Sequence, residues 1–303
     1  MNTSRKFLLT GSTGWFGRTA INEYKKLFGN NSLINDLVPF ASNYKEIEVL
    51  NINKRIKVFP LKQIFEEKEP AGILHLAFLT RDKIQKYGTE NYIKINRNIT
   101  KIVSDYISLH PEIPIITISS GAANFIENKK DNIESNPYSF LKNEEELIFK
   151  KNSLNRMSIV FRVFAATGEY ITEPERFALG EFLKCALNKQ TIKIKSKRKV
   201  LRSYVNVETL MKLCWLILKN PLKEGFYNFD ACFEDLSILE LAKKISNEWD
   251  LNNPISEINE KTPPEVYCGD KKQFKSILKT YGIIHPNIQS QLKLTSKSLN
   301  LIK

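Results

Sequence analysis

The sequence predicts an α/β protein built on a doubly wound parallel sheet, followed by a smaller mixed α+β part. Short apolar segments alternate with longer amphipathic segments through the first half of the chain, and a glycine-rich turn directly follows the first short segment. Repeated alternation of apolar strands with helices is typical of a parallel sheet covered on both faces. After Gly168 helical segments are separated only by short strand-like pieces, which predicts the mixed C-terminal part.

Each predicted element depends on its hydrophobic period. Strands are predicted where apolar residues run continuously, as in GILHLAF and IPIITI, and helices where they recur at helical spacing. The predicted strands are Phe7–Leu9, Leu37–Ala41, Ile56–Phe59, Gly72–Phe78, Ile113–Ile118 and Met157–Phe164. The predicted helices are Trp15–Phe28, Asn91–Leu109, Pro137–Lys151, Glu175–Asn188, Val207–Lys219 and Ile238–Glu248.

Composition narrows the class of protein. The 303 residues contain no run of about 18 apolar residues, which argues against a membrane-spanning helix. The polar start at Met1–Lys6 leads into an apolar stretch too short for a signal peptide, so a cytoplasmic protein is expected. The net charge of +13 comes from lysines spread along the chain, and the densest cluster, 193–202, is predicted to be an exposed hairpin. Without an aromatic-basic motif of the known modules, nucleic acid is not an expected partner, and neither is a membrane.

The four cysteines are widely separated and form no CxxC pair, and the chain has only three histidines. A metal site is therefore not expected, and reduced cysteines are the simpler interpretation. The cysteines are Cys185, Cys214, Cys232 and Cys268.

A phosphate-binding turn is predicted at residues 10–17, which read TGSTGWFG. Glycines let a backbone turn sharply and approach a pyrophosphate, and the next helix offers free N–H groups and a partial positive charge. The spacing is GxxGxxG, and its position between a strand and an amphipathic helix predicts a site for NAD or NADP. The residues predicted to bind the cofactor here are Gly11, Thr13, Gly14, Trp15, Phe16 and Gly17.

The end of the second strand bears on the choice between NAD and NADP. A carboxylate in this region would bind the ribose 2′-hydroxyl of NAD, but the strand ends at Ala41 and Ser42 follows, while Asp36 precedes the strand. With Ser42 and Lys45 nearby and no carboxylate, NADP is at least as well supported as NAD.

A proton-transfer site is predicted from Ser120, Tyr138 and Lys142. The serine follows the fifth predicted strand, at the edge where open α/β sheets bind ligands, and Tyr138 and Lys142 share one face of a helix that begins with Asn136 as N-cap and Pro137. A tyrosine with a pKa of about 10 is a poor base at neutral pH. A lysine ammonium and a positively charged nicotinamide nearby would favour its phenolate.

These motifs resemble the extended short-chain dehydrogenase/reductase family, and within it the NAD-dependent epimerase/dehydratase group that acts on nucleotide sugars. The resemblance runs from Phe7 to about Ser246. HLAF at 75–78 resembles the family's HxAA segment, and SSGAANF at 119–125 is similar to SSGAVYG, which implies Ser120 as the catalytic serine and Ser119 as second choice, both near substrate. The further cofactor contacts that the resemblance implies are Leu76, Ala77, Asn96, Tyr138 and Lys142.

The C-terminal half carries further matches. FRVFAATG at 161–168 resembles the RxFxxxGP segment, and RSYVNVETL at 202–210 resembles the family segment whose arginine contacts the nucleotide's diphosphate, so Arg202 is implied in that role. The resemblance divides the chain into a dinucleotide-binding Rossmann domain at 1–168 and a substrate-binding part at 169–303, with the segment around 203–219 returning to the first domain.

The chain departs from the family pattern at several positions. The acidic pair of 4,6-dehydratases is Gly121-Ala122 here, which counts against dehydration. Ala165 replaces an asparagine that contacts substrate in many relatives, and the acidic residue that holds adenine is absent near Leu61-Lys62. Only 18 positions separate Ser120 from Tyr138, so the intervening loop is short.

The resemblance implies an NAD(P)-dependent enzyme on a nucleotide sugar, with a place in polysaccharide biosynthesis. Hydride would pass from C4 of the sugar to the nicotinamide while Tyr138 takes the hydroxyl proton. The sequence leaves epimerase, decarboxylase and reductase chemistry open. The alternative is a catalytically inactive NAD(P)-binding sensor or scaffold of the same fold. Because relatives are often dimers, a homodimer is implied by analogy.

Overall fold

The computed structural model describes residues 5–50, 52–124, 132–259 and 261–301; Phe125 of the SSGAANF segment lies outside them. The described strands are β1 Lys6–Thr10, β2 Leu37–Ala41, β3 Lys45–Ile47, β4 Ile56–Pro60, β5 Pro70–His75, β6 Ile115–Ser120, β7 Met157–Val163, β8 Ala165–Thr167, β9 Lys193–Ile194, β10 Val200–Asn206, β11 Gly225–Ala231, β12 Glu234–Ser237, β13 Ile255–Ser256 and β14 Glu265–Tyr267. The described helices are α1 Trp15–Asn35, α2 Ile84–Tyr87, α3 Thr89–Ser108, α4 Pro137–Lys151, α5 Ala178–Leu187, α6 Val207–Lys219, α7 Ile238–Glu248, α8 Lys271–Thr280 and α9 Ile288–Leu301.

Three of the predicted helices have the predicted bounds. Helices α4, α6 and α7 begin and end at the predicted residues. Helix α1 continues past the predicted end at Phe28 to Asn35, across a non-helical Gly29 with φ of +83°. No bounds are predicted from the sequence for β3, α2, α8, α9 or the strands β8 to β14, most of which are short.

The chain divides into two compact units, the first comprising residues 1–162 and 211–229. Its sheet has the order β11-β7-β6-β5-β1-β2-β4-β3. The pairings of β1 with β2 and β5, of β2 with β4 and of β5 with β6 are parallel, and β3 pairs with β4 antiparallel. The predicted α/β class with a Rossmann-like parallel sheet is confirmed.

Helices cover both faces of this sheet. Because successive side chains of a strand point to opposite faces, Phe7 and Leu8 of β1 pack against different helices. Leu8 packs in a cluster with Val103 of α3 and Phe149 of α4. Phe7 lies edge-on to Trp215 of α6, whose indole Nε1 donates a hydrogen bond of 2.8 Å to a carbonyl of α1. The sheet is therefore doubly wound.

The second unit comprises residues 163–210 and 230–303. Strand β10 pairs with β8, β12 and β14, and β9 pairs with β13. Its core joins α5, α7 and α9 to β10 through a cluster of buried side chains that includes Phe182, Tyr204, Leu241 and Leu292. The division that the sequence predicted at residue 168 stays a prediction.

The basic segment 193–202 is not a hairpin, so that prediction is wrong. Strand β9 pairs in parallel with β13, and β10 pairs with other strands. A hairpin requires the two flanking strands to pair with each other, and the segment's charge pattern carries no information about pairing partners. The charged side chains of Lys195, Lys197 and Lys199 are nevertheless exposed, as predicted.

None of the helices in the described ranges is long and apolar enough to cross a membrane.

Glu208, at the start of α6, is a half-buried carboxylate in the second unit. It accepts hydrogen bonds of 2.5 Å from the backbone N–H of Glu169 and from the side-chain amide of Asn206. Burial raises the pKa of Glu208 from 4.5 to about 7. The folded protein therefore binds this proton more tightly than the unfolded chain does.

Replacing Glu208 with glutamine is expected to flatten the pH dependence of stability. With a raised pKa, the stabilising contribution of Glu208 is present below its unfolded pKa and is lost as the pH rises through about 7. This loss amounts to about 2 to 3 kcal/mol of unfolding free energy between pH 5 and pH 8. Urea unfolding at both pH values should show the drop in the wild type and in Glu257→Gln, which alters an exposed carboxylate. An equal drop in Glu208→Gln would contradict the prediction.

Candidate functional site

The sequence-predicted site residues of the first unit gather at the carboxyl ends of β1, β5 and β6. Strand β1 lies between β2, which follows it along the chain, and β5. The direction of the strand order therefore reverses between β1 and β5, and open α/β sheets bind ligands in the crevice at such a reversal. Thr10, the last residue of β1, pairs in register with Phe40 and His75.

The glycine turn lies at this crevice, and at two of its positions the backbone is packed too closely to leave room for a side chain. Gly11 has a φ of +69°, and a Cβ there would lie 2.6 Å from the backbone N of Ala77. At Gly17 a Cβ would lie 2.2 Å from the carbonyl oxygen of Gly11. At Gly14, the N-cap of α1, the nearest atom to an added Cβ is 3.6 Å away. Gly11 and Gly17 are thus required by the turn itself, whereas Gly14 is exposed and leaves space in front of the helix.

The neighbouring aromatic residues and the end of β2 flank the turn. Trp15 and Phe16 form an edge-to-face pair with ring centroids 5.5 Å apart. Ser42 and Lys45 are exposed just beyond β2, at the same edge of the sheet as the turn. Asp36 is the C-cap of α1 and precedes β2, so its carboxylate lies at the opposite end of that strand.

Ser120 and Tyr138 are brought together by β6 and α4. Proline at the first position of α4 is compatible with a helix N-terminus and sets Tyr138 one residue further on. The Tyr138 hydroxyl is hydrogen-bonded with Ser120, and Ser120 Oγ also accepts a hydrogen bond from the backbone N–H of Ala122 at 3.2 Å. Asn136 is the N-cap residue, as expected, although its side chain makes no capping hydrogen bond to the described residues.

Ser119 is hydrogen-bonded to a different residue, Glu146. Its hydroxyl donates a hydrogen bond of 2.5 Å to Glu146, which also forms a two-pronged ion pair with Arg162. The amide of Asn228 lies 3.4 Å from the same carboxylate. Of the two serines, the structure therefore brings Ser120 and not Ser119 to Tyr138.

Lys142 lies one helical turn after Tyr138 and is nearly buried. Its ammonium donates to the Ile118 carbonyl and to Glu145, both at 2.9 Å. The same ammonium lies 3.8 Å from the centroid of the Phe78 ring, and that ring meets the Tyr138 ring edge-on at 5.9 Å. The Phe78 ring therefore contacts both Lys142 and Tyr138.

The electrostatics around Tyr138 keep its phenol protonated. Burial raises the pKa of Tyr138, and the negative charge of Glu145 raises it further. The hydrogen bond with Ser120 and the positive charge of Arg81 act in the opposite direction without cancelling the effect of burial. A positive charge brought close to the phenol is needed before it can act as a base near neutral pH.

Asn96 contacts the protein and shapes the site indirectly. Its amide oxygen accepts a hydrogen bond of 2.7 Å from the Leu79 N–H, and its amide nitrogen donates one of 3.3 Å to the Leu79 carbonyl. The Tyr92 hydroxyl donates to the same carbonyl. This fixes the segment after β5, which includes Leu76 and Ala77. The prediction that Asn96 contacts cofactor stays a prediction.

Sequence reasoning missed Glu145, and it did not single out His75 as a site residue. The Glu145 side chain is only 1% exposed and lies 3.3 Å from His75. The available signal was a glutamate three residues after Lys142, a spacing at which helical side chains meet. The described residues contain no cluster of three or more potential metal ligands.

Arg202 lies on β10 of the second unit. Its guanidinium donates to the Glu265 carboxylate at 2.5 Å and lies 5.5 Å from the centre of the Tyr267 ring. The arginine predicted to bind diphosphate is therefore already paired with a carboxylate that is 49% exposed.

A glycine turn at the strand-order reversal, with Ser120 at the end of β6 and Tyr138 and Lys142 on the following helix, is typical of short-chain dehydrogenase/reductase proteins. Within that class, the model of the NAD dependent epimerase/dehydratase family matches residues 7–229, and the chain belongs to this family. The resemblance inferred from the motifs is confirmed. No curated protein matches the chain significantly.

Solved structures show the same fold over nearly the whole chain. The UDP-glucose 4-epimerase of Thermotoga maritima with UDP-glucose has a TM-score of 0.73 at 17% identity, covering 98% of this chain and 99% of that one. The UDP-N-acetylglucosamine 4-epimerase of Methanobrevibacter ruminantium in complex with UDP-N-acetylmuramic acid has a TM-score of 0.70 at 18% identity, covering 99% and 100%. The dTDP-glucose 4,6-dehydratase of Bacillus anthracis in complex with NAD has a TM-score of 0.73 at 12% identity, covering 98% and 97%.

Proposed function

We propose that the chain is an NAD(P)-dependent enzyme that acts on a nucleotide sugar through a 4-keto sugar, as an epimerase, reductase or decarboxylase. The observations that carry this proposal are the hydrogen bond between Ser120 and Tyr138, the position of Lys142 one helical turn further on, and the close-packed glycine turn. A sensor or scaffold that only binds cofactor does not need a phenol hydrogen-bonded to a serine with an ammonium one helical turn further on.

The turn fits a dinucleotide. Close packing at Gly11 and Gly17 brings bare backbone to the start of α1, and Gly14 leaves space in front of its N–H groups. These groups would hold the pyrophosphate through hydrogen bonds and the helix dipole. When bound, the cofactor supplies a hydride acceptor or donor. The NAD in the Bacillus anthracis neighbour supports NAD, while the exposed Ser42 and Lys45 keep NADP open.

Each group of the proposed catalytic set has a separate task. Tyr138 takes the proton of the sugar hydroxyl, Ser120 holds the oxygen from which it leaves, and Lys142 places a positive charge beside the phenol. The turn after β6, Gly121–Asn124, lacks the acidic pair that the sequence comparison assigned to 4,6-dehydratases. This favours epimerisation or keto-sugar reduction over loss of water.

A ligand panel tests the proposal. With NAD or NADP present, the melting temperature is measured against UDP-, CDP-, GDP- and dTDP-sugars. One nucleotide class is expected to raise it, and the sugar of that class should then be converted or should reduce the bound cofactor. Cofactor binding without any conversion would favour the sensor or scaffold. No stabilisation by either cofactor would overturn both. A cytoplasmic location and a homodimer stay predictions.

The pairing of Arg202 with Glu265 gives a further prediction. If Arg202 binds the diphosphate, Glu265 competes for the same guanidinium, so Glu265→Gln should tighten nucleoside diphosphate binding. Exposed ion pairs contribute at most about 1 kcal/mol, so the gain should be about two- to five-fold. Arg202→Met should weaken binding by about ten-fold or more. Calorimetry with the nucleoside diphosphate selected by the panel measures both, and Glu257→Gln serves as control. Equal affinity in all variants would remove Arg202 from the site.

A further inference from the structure

A buried carboxylate, that of Glu145, contacts the Lys142 ammonium. Glu145 Oε2 is 2.9 Å from Lys142 Nζ, and Glu145 Oε1 is 3.3 Å from His75 Nε2. The Thr100 hydroxyl of α3 also faces Oε1, at 3.4 Å. Burial of a carboxylate is costly unless donors surround it, and here Lys142 of α4 and Thr100 of α3 each donate a hydrogen bond, while His75 of β5 lies in close contact. Lys142 and His75 together hold the pKa of Glu145 below its ordinary value despite this burial.

The hydrogen bonds of Thr10 determine which nitrogen of His75 carries the proton. Thr10 Oγ1 accepts from the backbone N–H groups of Leu76 at 3.1 Å and Ala77 at 3.2 Å. A hydroxyl has two lone pairs and one proton, so its own proton must be donated to His75 Nδ1, which lies 2.6 Å away. Nδ1 is then an acceptor and the imidazole is neutral. The remaining proton is on Nε2, which faces Glu145.

We propose that Glu145 is a positioning residue that fixes the Lys142 ammonium. The successive contacts Thr10–His75–Glu145–Lys142 then connect the glycine turn to helix α4. This inference rests on the proposed function, because it assigns Lys142 its task there. Thr10 directly precedes Gly11, and the segment at residues 76–77 packs against that glycine. This series of contacts therefore begins at the glycine turn and ends at the Lys142 ammonium, one helical turn after Tyr138.

Two consequences follow for Lys142. An ammonium has three N–H donors, and two are committed to Ile118 and Glu145, so the third has a single direction left. The negative charge of Glu145 also offsets the positive charge that Lys142 presents to Tyr138. The phenol consequently ionises at a higher pH than it would beside an unpaired lysine.

The other charged groups around this chain have partners of their own or lie further out. On α3, Arg97 pairs with Glu144 and Lys101 pairs with Asp105, at the outer side of the groove between α3 and α4 that Glu145 also lines. The positive charge of Arg81 lowers the pKa of Tyr138.

The experiment measures ionisation of Tyr138 by ultraviolet tyrosinate absorbance against pH, with and without NAD. Subtracting the same titration of Tyr138→Phe isolates this residue among 11 tyrosines. Glu145→Gln keeps the shape and removes the charge, and it should shift the Tyr138 titration to lower pH by about one unit. Glu144→Gln, the adjacent residue on the exposed side, should leave the titration unchanged. Equal titrations in Glu145→Gln and Glu144→Gln would overturn the inference.

Loss of the fold in Glu145→Gln is addressed by a second variant. If the unpaired ammonium destabilises the protein, the double variant Lys142→Met with Glu145→Gln should recover most of the lost melting temperature, because both charges are removed together. A double variant as unstable as Glu145→Gln would overturn the pairing. The titration without NAD measures the effect of Glu145 on Tyr138 even if NAD does not bind. A failure of the proposed function can therefore be distinguished from a failure of this inference.

Discussion

Tyr138→Phe is expected to abolish turnover of the nucleotide sugar while cofactor affinity remains within about two-fold of the wild type. The substitution removes the oxygen that takes the proton and leaves the ring that meets Phe78 edge-on at 5.9 Å. General acid–base groups contribute about 10²- to 10⁴-fold to rate, so kcat should fall by at least 10²-fold. Steady-state kinetics with the sugar selected by the ligand panel, together with titration of cofactor fluorescence, measures the two quantities.

Tyr106→Phe is the matched control for this variant. Tyr106 is buried in the same unit, and its hydroxyl donates to the Glu67 carbonyl at 2.7 Å, away from the site. Its loss should cost about 1 kcal/mol of stability and leave kcat unchanged. Wild-type turnover in Tyr138→Phe would show that the phenol does not carry the proton, and the proposed mechanism would be lost.

Gly17→Ala and Gly14→Ala are expected to fail in different ways, although both alter the glycine turn. At Gly17 an added Cβ would lie 2.2 Å from the Gly11 carbonyl oxygen, which only a backbone shift can relieve. Overpacking of this kind costs about 3 kcal/mol or more, so the melting temperature should drop by about 6 °C or more. Thermal unfolding without cofactor measures this effect.

At Gly14 an added Cβ meets its nearest atom at 3.6 Å, an ordinary contact. Gly14→Ala should therefore unfold at nearly the wild-type temperature. The methyl group would stand where the pyrophosphate approaches the start of α1, so affinity for the cofactor should fall by about ten-fold or more. Unchanged affinity in Gly14→Ala would place the dinucleotide elsewhere.

The candidate site shows where local reasoning was sufficient. Tyr138 and Lys142 share a helix face because their spacing is one turn, and Pro137 marks where that helix begins. The requirement for Gly17 is also local, since an added Cβ there would meet Gly11 and Ser12, whereas Gly11 is required by its contact with Leu76 and Ala77. These features follow from short segments of sequence, and the structure places them as predicted.

Other features depended on residues distant in sequence. Ser119 and Ser120 are indistinguishable by composition, and only the approach of Glu146 to Ser119 separates their roles. The basic segment 193–202 has no local signal for its strand partners, and β9 pairs with β13, about sixty residues further on. Arg202 likewise gave no sign of its pairing with Glu265.

The sequence alone determined most of the periodic elements, the glycine turn, the family and the shared helix of Tyr138 and Lys142, because these are specified largely by neighbours along the chain. The tertiary structure decided which serine is hydrogen-bonded to Tyr138, that Arg202 pairs with Glu265, and that Lys142 forms an ion pair with the buried Glu145. These depend on side chains from separate strands and helices meeting in a medium where an unpaired charge is costly, and no local pattern encodes such meetings.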